Sequence, residues 1–430
     1  MKWLRCLLAL ALTLCLTACG APEKKDDPSA SGVFVPALDK DTACTIQVVG
    51  HYDNFEALVS EFNLFNQYYP NVTLKYVKLD DYNKSIVTAL TGSEAPDIFF
   101  AYPSMVIAKE TYQGLFDAAE DLSDKALGID LGCIRPGLLY KDEQGHVPFV
   151  PIFSETYGML VNEDLFKKEN VQIPRTYSQL TQACEQLQKA GYASPMMGYN
   201  RGTFLLYPML HPYFCAQIRD NRAALDALNA MKPEAGEYMR STLEKAVDFM
   251  NRGFIDLEAC NTLEKDYDPV ILRFFEGDVP MMLAKAGTVS GTEKRESRSE
   301  AFTAHPFKYS FWPVPSTEEG SYFLDVISLY FGVNRNSKNL AMANEFMRFL
   351  VTTAELNRMA QAKRMVTPCN DMSLDGVYAA FGELDPSRVI YQTELGLQDA
   401  PDVYVRDACW RVSNGLVTVD EAVAGFGKTE

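Results

Sequence analysis

Hydrophobic and polar residues follow two different periods in the part of the sequence that begins at Cys44. The run Cys44–Gly50 is short and rich in β-branched residues, which predicts a strand. The segment after it predicts an amphipathic helix before Pro70, because its apolar residues recur at three- and four-residue spacing. Those apolar residues are Phe55, Leu58, Val59, Phe62 and Phe65.

The same succession of elements continues to residue 102. Residues 71–79 alternate between apolar and polar side chains, which predicts a second strand, and residues 81–90 predict a second helix. Residues 95–102 form a continuous apolar run that is typical of a strand buried on both faces. This β-α-β-α-β order predicts a parallel sheet with right-handed crossovers.

A second series of predicted elements begins near residue 146. Residues 146–162 are predicted to be extended, and a helix is predicted to begin after Thr176. Residues 195–199 and 325–337 predict further strands, and a long amphipathic helix follows near residue 340. A chain of this length usually forms two lobes, and the two series of elements agree with that division.

The first residues of the chain have the pattern of a secretory signal. Lys2 and Arg5 precede the apolar run Leu7–Leu16, which is too short for a permanent membrane span. The run ends in the sequence LTAC, which resembles a bacterial lipobox. That resemblance implies cleavage after residue 18 and lipidation of Cys19, although an ordinary signal with an incidental cysteine is the alternative. Residues 19–43 are rich in polar and small residues and predict a flexible linker.

Charge and cysteine spacing exclude several classes of function. The formal net charge of −17 disfavours nucleic-acid binding and repels an anionic membrane surface. The seven cysteines after residue 43 show no CxxC spacing, so a metal site is not indicated, although one long-range disulfide stays open. No serine-hydrolase, zinc-protease or P-loop motif occurs, so we expect a non-enzyme that has no metal and no cofactor.

Five segments in a fixed order carry a resemblance to a known family. They include LTGSEAPDIFFA, YGMLVNEDLFKKENVQIPRTYSQL, FFEGDVPMMLA and GVNRNSKNLAMANEFMRFL. Together they closely resemble the extracellular solute-binding proteins of ABC importers, family 1, and most of all the carbohydrate-binding cluster. The resemblance covers nearly all of residues 44–364. In the most specific segment, Val161 and Tyr177 stand where the family pattern has Tyr and Trp.

The resemblance implies an α/β fold of two lobes, of the type II periplasmic-binding-protein kind, with a ligand cleft between them. Each lobe is expected to hold a mostly parallel sheet flanked by helices. The chain is expected to cross between lobes near residues 153–155, 325–328 and 386. Residues 44–153 and 328–385 then form the N-terminal lobe, and residues 154–327 and 386–430 form the C-terminal lobe.

The implied function is that of a monomeric receptor that captures a carbohydrate, closes on it and delivers it to a membrane permease. The protein is expected on the outer face of the cytoplasmic membrane of a Gram-positive bacterium, held by its lipid anchor alone. Three alternatives stay open: a receptor for a non-sugar solute, a surface sensor or adhesion protein with this fold, and a lipid-anchored glycosidase. The sequence does not name the ligand.

Ligand candidates come from polar and aromatic residues near predicted strand ends, where open α/β sheets bind ligands. Sugars present apolar faces that stack on aromatic rings and hydroxyls that pair with polar groups. The candidates are His51, Tyr52, Tyr102, Glu155, Tyr157, Tyr199, Arg201, Lys285, Trp312 and Asp325. Trp312 and Tyr102 are predicted to stack on the sugar, with Glu155 as a hydroxyl acceptor. Thr288 stands where related proteins often carry Trp, and Trp312 is expected to compensate.

Overall fold

Two β-sheets organise the chain, and the computed structural model describes residues 34–201, 204–265 and 267–428. The predicted lipidation site Cys19 lies outside the described residues. Residues 34–37, the described part of the N-terminal unit, contain no helix or strand. All helices and strands given below belong to the unit formed by residues 38–430.

Ten strands form the two sheets. They are β1 (Cys44–Gly50), β2 (Val72–Lys78), β3 (Ile98–Ala101), β4 (Val150–Glu155), β5 (Tyr157–Asn162), β6 (Met196–Met197), β7 (Met281–Lys285), β8 (Tyr309–Trp312), β9 (Phe323–Val333) and β10 (Val389–Tyr391). The helices that precede β6 are α1 (Glu56–Phe65), α2 (Tyr82–Thr91), α3 (Pro103–Ile107), α4 (Gln113–Ala118), α5 (Glu163–Lys168) and α6 (Tyr177–Lys189).

The remaining helices follow β6. They are α7 (Tyr207–Ile218), α8 (Arg222–Asn229), α9 (Arg240–Asn251), α10 (Leu257–Asn261), α11 (Asp268–Phe274), α12 (Ala286–Val289), α13 (Thr292–Glu296), α14 (Glu300–Ala304), α15 (Leu340–Leu350), α16 (Thr353–Lys363), α17 (Gln392–Leu395), α18 (Asp399–Ser413) and α19 (Val419–Gly425). Short 3₁₀ helices lie at Lys125–Leu127, Leu131–Cys133, Pro136–Leu138, Pro233–Met239, Gly376–Phe381 and Pro386–Arg388.

The first sheet has the strand order β10-β9-β3-β1-β2, and β4 also pairs with β9. The strand β1 is parallel to both β2 and β3, which confirms the predicted β-α-β-α-β unit. The strand β9 is antiparallel to β3 and to β4, and its first residues are parallel to β10. We call this sheet and the helices packed on it the first lobe.

The second sheet has the order β6-β7-β5-β8 and forms the second lobe with its helices. Only β6 and β7 are parallel, whereas β5 is antiparallel to β7 and to β8. The two-lobed α/β fold is confirmed, but the expectation of a mostly parallel second sheet is wrong. The central strand β5, which follows β4 after Thr156 alone, is antiparallel to both of its neighbours, so only the β6–β7 pair of this sheet is parallel among the described strands.

Two local predictions need correction. Val59 lies on α1 but is 44 % exposed, because its side chain is directed away from the buried face formed by Leu58, Phe62 and Phe65. Tyr378 and Phe381 were expected in the first lobe but pack on Phe311 of β8 in the second. The Phe311 ring centroid lies 5.6 Å from that of Tyr378 and 5.4 Å from that of Phe381. The chain therefore reaches the second lobe before residue 386, and the exact lobe boundaries stay a prediction.

Among the described residues, no helix has both the length and the apolar character needed to cross a bilayer.

Candidate functional site

Three predicted ligand residues meet at the carboxyl ends of β1 and β3. These strands are parallel neighbours, so the residues that follow them, His51 and Tyr102, emerge at the same edge of the sheet. His51 Nδ1 and the Tyr102 hydroxyl form a hydrogen bond. The ring centroid of His51 lies 4.1 Å from that of Tyr52 and 5.5 Å from that of Tyr102. We call these three residues the aromatic cluster.

The aromatic cluster borders a cavity of about 430 Å³. Its lining consists of His51, Tyr102 and residues 81–84 at the start of α2. Burial lowers the pKa of His51 below its usual value, and the positive charges of Lys363 and Lys78 lower it further. The imidazole is therefore neutral near pH 7 and presents an uncharged polar edge to this cavity.

Tyr52 connects the aromatic cluster to the core of the first lobe. Its ring makes edge contacts with Phe55 and Phe100, at centroid distances of 5.0 and 5.8 Å. Burial raises the pKa of the Tyr52 hydroxyl, and the charge of Glu155 raises it further. The hydroxyl is therefore protonated near neutral pH and can donate a hydrogen bond.

In the second lobe, Tyr157 and Lys285 lie next to each other beside the end of β4. These residues are direct partners in the register of β5 and β7, and Glu155 ends β4 two residues before Tyr157. A Cβ atom at Gly287 would lie only 3.1 Å from Glu155 Oε2, so the first turn of α12 closely approaches this carboxylate. Glu155, Tyr157 and Lys285 therefore lie where the chain passes from one sheet to the other.

An aromatic group in the second lobe supports Tyr157. The Tyr157 ring lies 4.8 Å from Tyr207 in an edge contact, and Tyr207 stacks on His211 at 4.3 Å. His211 Nε2 and Asp402 Oδ1 are 2.6 Å apart, which orients the imidazole. These contacts hold the Tyr157 ring in one position, as a stacking surface requires.

Lys363 is a site residue that sequence reasoning missed. Its Nζ atom lies 4.9 Å from the Tyr52 ring centroid and 5.8 Å from that of Phe55. Burial lowers the pKa of Lys363, and the nearby charge of Lys294 lowers it further. The residue ends α16, far from the predicted strand ends, so no local signal in the sequence marked it.

Tyr267 is a second residue that the sequence did not indicate. It lies before α11 with φ of 88°, a conformation that non-glycine residues rarely adopt. Its charge when ionised adds to the charges that raise the pKa of Tyr52, although the two residues belong to different lobes. The guanidinium carbon of Arg295 lies 4.7 Å from the Tyr267 ring centroid.

Contacts between the lobes occur beside the aromatic cluster. Lys294 on α13 forms an ion pair of 3.2 Å with Glu56 on α1. Arg364, which follows α16, donates hydrogen bonds from Nη1 to Thr292 Oγ1 at 3.0 Å and to the Tyr309 hydroxyl at 3.1 Å. The ion pair is exposed, so its contribution to stability is small.

Tyr199 and Arg201 lie at the carboxyl end of β6 in the second lobe. The Tyr199 hydroxyl is 3.5 Å from the Glu264 carbonyl oxygen, and Arg201 Nη2 donates to the Asn261 carbonyl at 3.3 Å. Because β6 is parallel to β7, this end of β6 is at the same edge of the sheet as Lys285. These contacts tie the two side chains to the loop after α10 instead of to the aromatic cluster.

Trp312 lies opposite Met159, two residues after Tyr157, but its side chain contacts residues outside the candidate set. Its ring lies under the Arg175 guanidinium at 4.6 Å, and its Nε1 donates to Ser310 Oγ at 2.7 Å. It lines a groove of about 630 Å³ in which every other lining residue belongs to residues 170–186. The expectation that Trp312 stacks with Tyr102 on one ligand is not supported by this position on the edge strand β8.

Asp325 is buried and has a structural partner. Its side chain is fully shielded from solvent, and its Oδ2 accepts from Arg135 Nε at 2.9 Å and lies 2.8 Å from Arg135 Nη2. Arg135 also donates to Ser154 Oγ and to the Cys369 carbonyl. Burial raises the pKa of Asp325, while Arg135 opposes that shift. A ligand in a cleft cannot reach this carboxylate without displacing the Arg135 side chain.

No group of three or more His, Cys, Asp and Glu side chains within the described ranges has the arrangement of a metal site. The described part of the site offers aromatic rings, hydroxyls, carboxylates and ammonium groups. This set suits recognition of a polar solute.

Comparison with known proteins gives the family. The family model described as bacterial extracellular solute-binding protein matches residues 57–384. The chain belongs to this family. The expected family is thus confirmed, as are its extracellular location and its role as a binding protein instead of an enzyme. None of the curated proteins compared matches the chain.

Solved structures share the fold at low sequence identity. The apo form of RafE from Streptococcus pneumoniae is 17 % identical, with 89 % of this chain and 97 % of that one covered and a TM-score of 0.66. The GacH receptor of Streptomyces glaucescens, also solved with acarbose, is 16 % identical, with 90 % and 97 % covered and a TM-score of 0.65. A Bacillus licheniformis sugar transporter, solved with stachyose, is 17 % identical, with 88 % and 97 % covered and a TM-score of 0.60.

Proposed function

We propose that this solute-binding protein is the carbohydrate receptor of an ABC importer. The observation that carries the proposal is the aromatic cluster of His51, Tyr52 and Tyr102, whose Tyr52 feels the charge of Glu155 at the end of β4, where the chain passes to the second sheet. Aromatic faces bind the apolar side of a sugar ring, and fixed polar groups bind its hydroxyls. The acarbose and stachyose complexes of proteins with this fold add support.

Tyr102 and Tyr52 are the stacking residues of this proposal, and Glu155 accepts hydrogen bonds from sugar hydroxyls. Tyr157 and Lys285 contribute from the second lobe. Tyr199 and Arg201, at the same sheet edge as Lys285, contribute by exchanging their bonds to the Glu264 and Asn261 carbonyls for bonds to the ligand. Binding draws the lobes together by a hinge motion at the strands that pass between the sheets. The loaded protein then meets the transmembrane subunits of its permease, as a monomer held at the membrane by lipid on Cys19.

A thermal-shift screen identifies the ligand. The panel contains neutral oligosaccharides, uronate-containing oligosaccharides, polyamines and short peptides. A ligand present at a hundredfold excess over its dissociation constant stabilises the folded protein by about 2.7 kcal/mol. We expect an oligosaccharide to raise the melting temperature, and a rise with only a peptide or polyamine would contradict the proposal. Unchanged reducing-end content after incubation separates binding from hydrolysis.

Calorimetry with the identified ligand tests the site. Tyr102→Ala is expected to weaken binding about tenfold, because a stacked ring contributes about 0.5–1.5 kcal/mol beyond its buried area and 1.4 kcal/mol equals one decade. Glu155→Ala is expected to weaken binding more than Glu155→Gln, whose amide oxygen still accepts. Trp312→Ala is the matched control and is expected to leave the affinity unchanged. Silent Tyr102→Ala and Glu155→Ala variants, with normal melting temperatures, would remove the cleft assignment.

A further inference from the structure

Two distant segments of the chain are paired beside the passage between the lobes. Asn370 donates from its backbone N–H to the Cys133 carbonyl at 2.9 Å, and from Nδ2 to the Gly132 carbonyl at 2.7 Å. The backbone N–H of Arg135 donates to the Pro368 carbonyl at 2.9 Å, and Arg135 Nη1 donates to the Cys369 carbonyl at 2.7 Å. Four hydrogen bonds therefore fix residues 132–135 against residues 368–370.

This pairing brings two cysteines together. Ile134 and Cys369 form an antiparallel bridge, so Cys133 is next to the residue directly opposite Cys369. Cys133 is 7 % exposed and Cys369 is fully buried, and both are free thiols in the structure. The neighbouring Cys369 thiol raises the pKa of Cys133, and the Cys133 thiol lowers that of Cys369. The backbone hydrogen bonds thus hold the two buried cysteines as close neighbours on paired segments.

We propose that Cys133 and Cys369 form a disulfide bond in the exported protein. Neighbouring positions on an antiparallel pair can satisfy the Cα separation that a disulfide needs, and the family is extracellular, where disulfides persist. The inference is independent of the ligand and depends only on export.

The oxidation requires an external disulfide, which a thiol oxidase or a low-molecular-weight disulfide supplies. The Cys369 thiolate attacks that disulfide, forms a mixed disulfide and releases one thiolate. The Cys133 thiolate then attacks the Cys369 sulfur and releases the second thiolate. The two protein thiols lose two electrons and two protons in total, and the external disulfide becomes two thiols. Because Cys369 is buried in the final structure, the exchange takes place while the chain folds.

The bond would close a loop that contains the whole of the second sheet. Cross-linking such a long loop restricts the unfolded chain, which is the main source of stabilisation in the chain-entropy account. It would also fix the segment after α16 to Arg135, whose guanidinium holds Asp325.

Differential alkylation of the full-length exported chain tests the proposal. The protein is denatured in the presence of one maleimide label, then reduced and exposed to a second, heavier label, and its peptides are identified by mass spectrometry. We expect Cys133 and Cys369 to carry the second label, and Cys184, a buried cysteine in the second lobe, to carry the first. If Cys133 and Cys369 both carry the first label, the proposal is wrong.

Single substitutions test the pairing itself. In exported Cys133→Ser, Cys369 is expected to change from the second label to the first, and the same exchange is expected for Cys133 in Cys369→Ser. Cys184→Ser is the control and should leave both labels as in the wild-type protein. Retention of the second label by Cys369 in Cys133→Ser would show that Cys369 has another partner and would overturn the proposal. If these variants are poorly exported, a peptide map of the unreduced wild-type chain decides the matter, because a linked peptide that contains Cys133 and Cys369 supports the proposal and either cysteine linked elsewhere overturns it.

Discussion

Removing Asp325 should destabilise the protein strongly, because it leaves a buried charge without its partner. In the wild-type protein Arg135 is 4 % exposed, and its guanidinium lies 2.8–2.9 Å from Asp325 Oδ2. Asp325→Ala leaves Ser154 Oγ and the Cys369 carbonyl as acceptors but removes the negative charge. Breaking one partner of a buried ion pair costs about 3–5 kcal/mol, and we expect a loss of that size in the free energy of unfolding.

Replacing both partners should have a much smaller effect. Burial raises the pKa of Asp325 even though Arg135 lowers it, so the cost of burying the carboxylate exceeds the attraction of the guanidinium. A well-packed apolar pair of similar volume is often as stable as a buried ion pair. The double variant Arg135→Met with Asp325→Leu is therefore expected to lie within about 2 kcal/mol of the wild-type protein.

Urea unfolding of the ligand-free protein, followed by circular dichroism, measures both effects. Asp80→Ala is the matched control, because Asp80 is 96 % exposed and lies 3.9 Å from Lys78, and such surface pairs contribute at most about 1 kcal/mol. A loss below about 1 kcal/mol in Asp325→Ala would refute the reasoning. A double variant that is as unstable as Asp325→Ala would also contradict it, because the unpaired charge would then not be the cause.

Three further predictions concern the site. The pKa of His51 is lower in the folded protein than in the unfolded chain, so below about pH 6.5 the unfolded chain binds one more proton than the folded protein. The stability of the wild-type protein relative to His51→Gln should therefore fall from pH 7 to pH 5. A difference in melting temperature between the two proteins that is equal at both pH values would contradict this. Lys363→Met should weaken ligand binding at least about tenfold in calorimetry, since a hydrogen bond from a charged group contributes about 1.5–3 kcal/mol. The same variant should not lower the melting temperature of the ligand-free protein, because it removes a partly buried cation. Unchanged affinity would exclude Lys363 from the site. Solution scattering should give a smaller radius of gyration with bound ligand than without it, and an equal radius at saturation would argue against lobe closure.

Several features of the fold could be predicted from the sequence because they depend on local periodicity. The alternating and helical patterns after Cys44 predict β1, α1, β2, α2 and β3, and the parallel pairing follows because helical crossovers connect parallel strands. The same reasoning predicted the positions of His51 and Tyr102, since a parallel sheet brings its carboxyl ends together.

The rest was decided by contacts between residues far apart in the chain. Asp325 was predicted to bind the ligand, but β9 passes through the interior and pairs it with Arg135, 190 residues away. Trp312 is at a strand end as predicted, but its side chain packs under Arg175 because β8 is an edge strand beside the segment before α6.

Lys363 is a site residue that the local sequence could not have revealed. Nothing in the sequence around the end of α16 distinguishes it from an ordinary lysine in the last turn of a helix, yet packing places its ammonium group over the Tyr52 ring. Local sequence determines which segments become helices and strands, because that choice depends on the spacing of apolar side chains within a few residues. Which side chains share a cleft, and which become buried partners, depends on how those segments pack, and only the tertiary structure decides it.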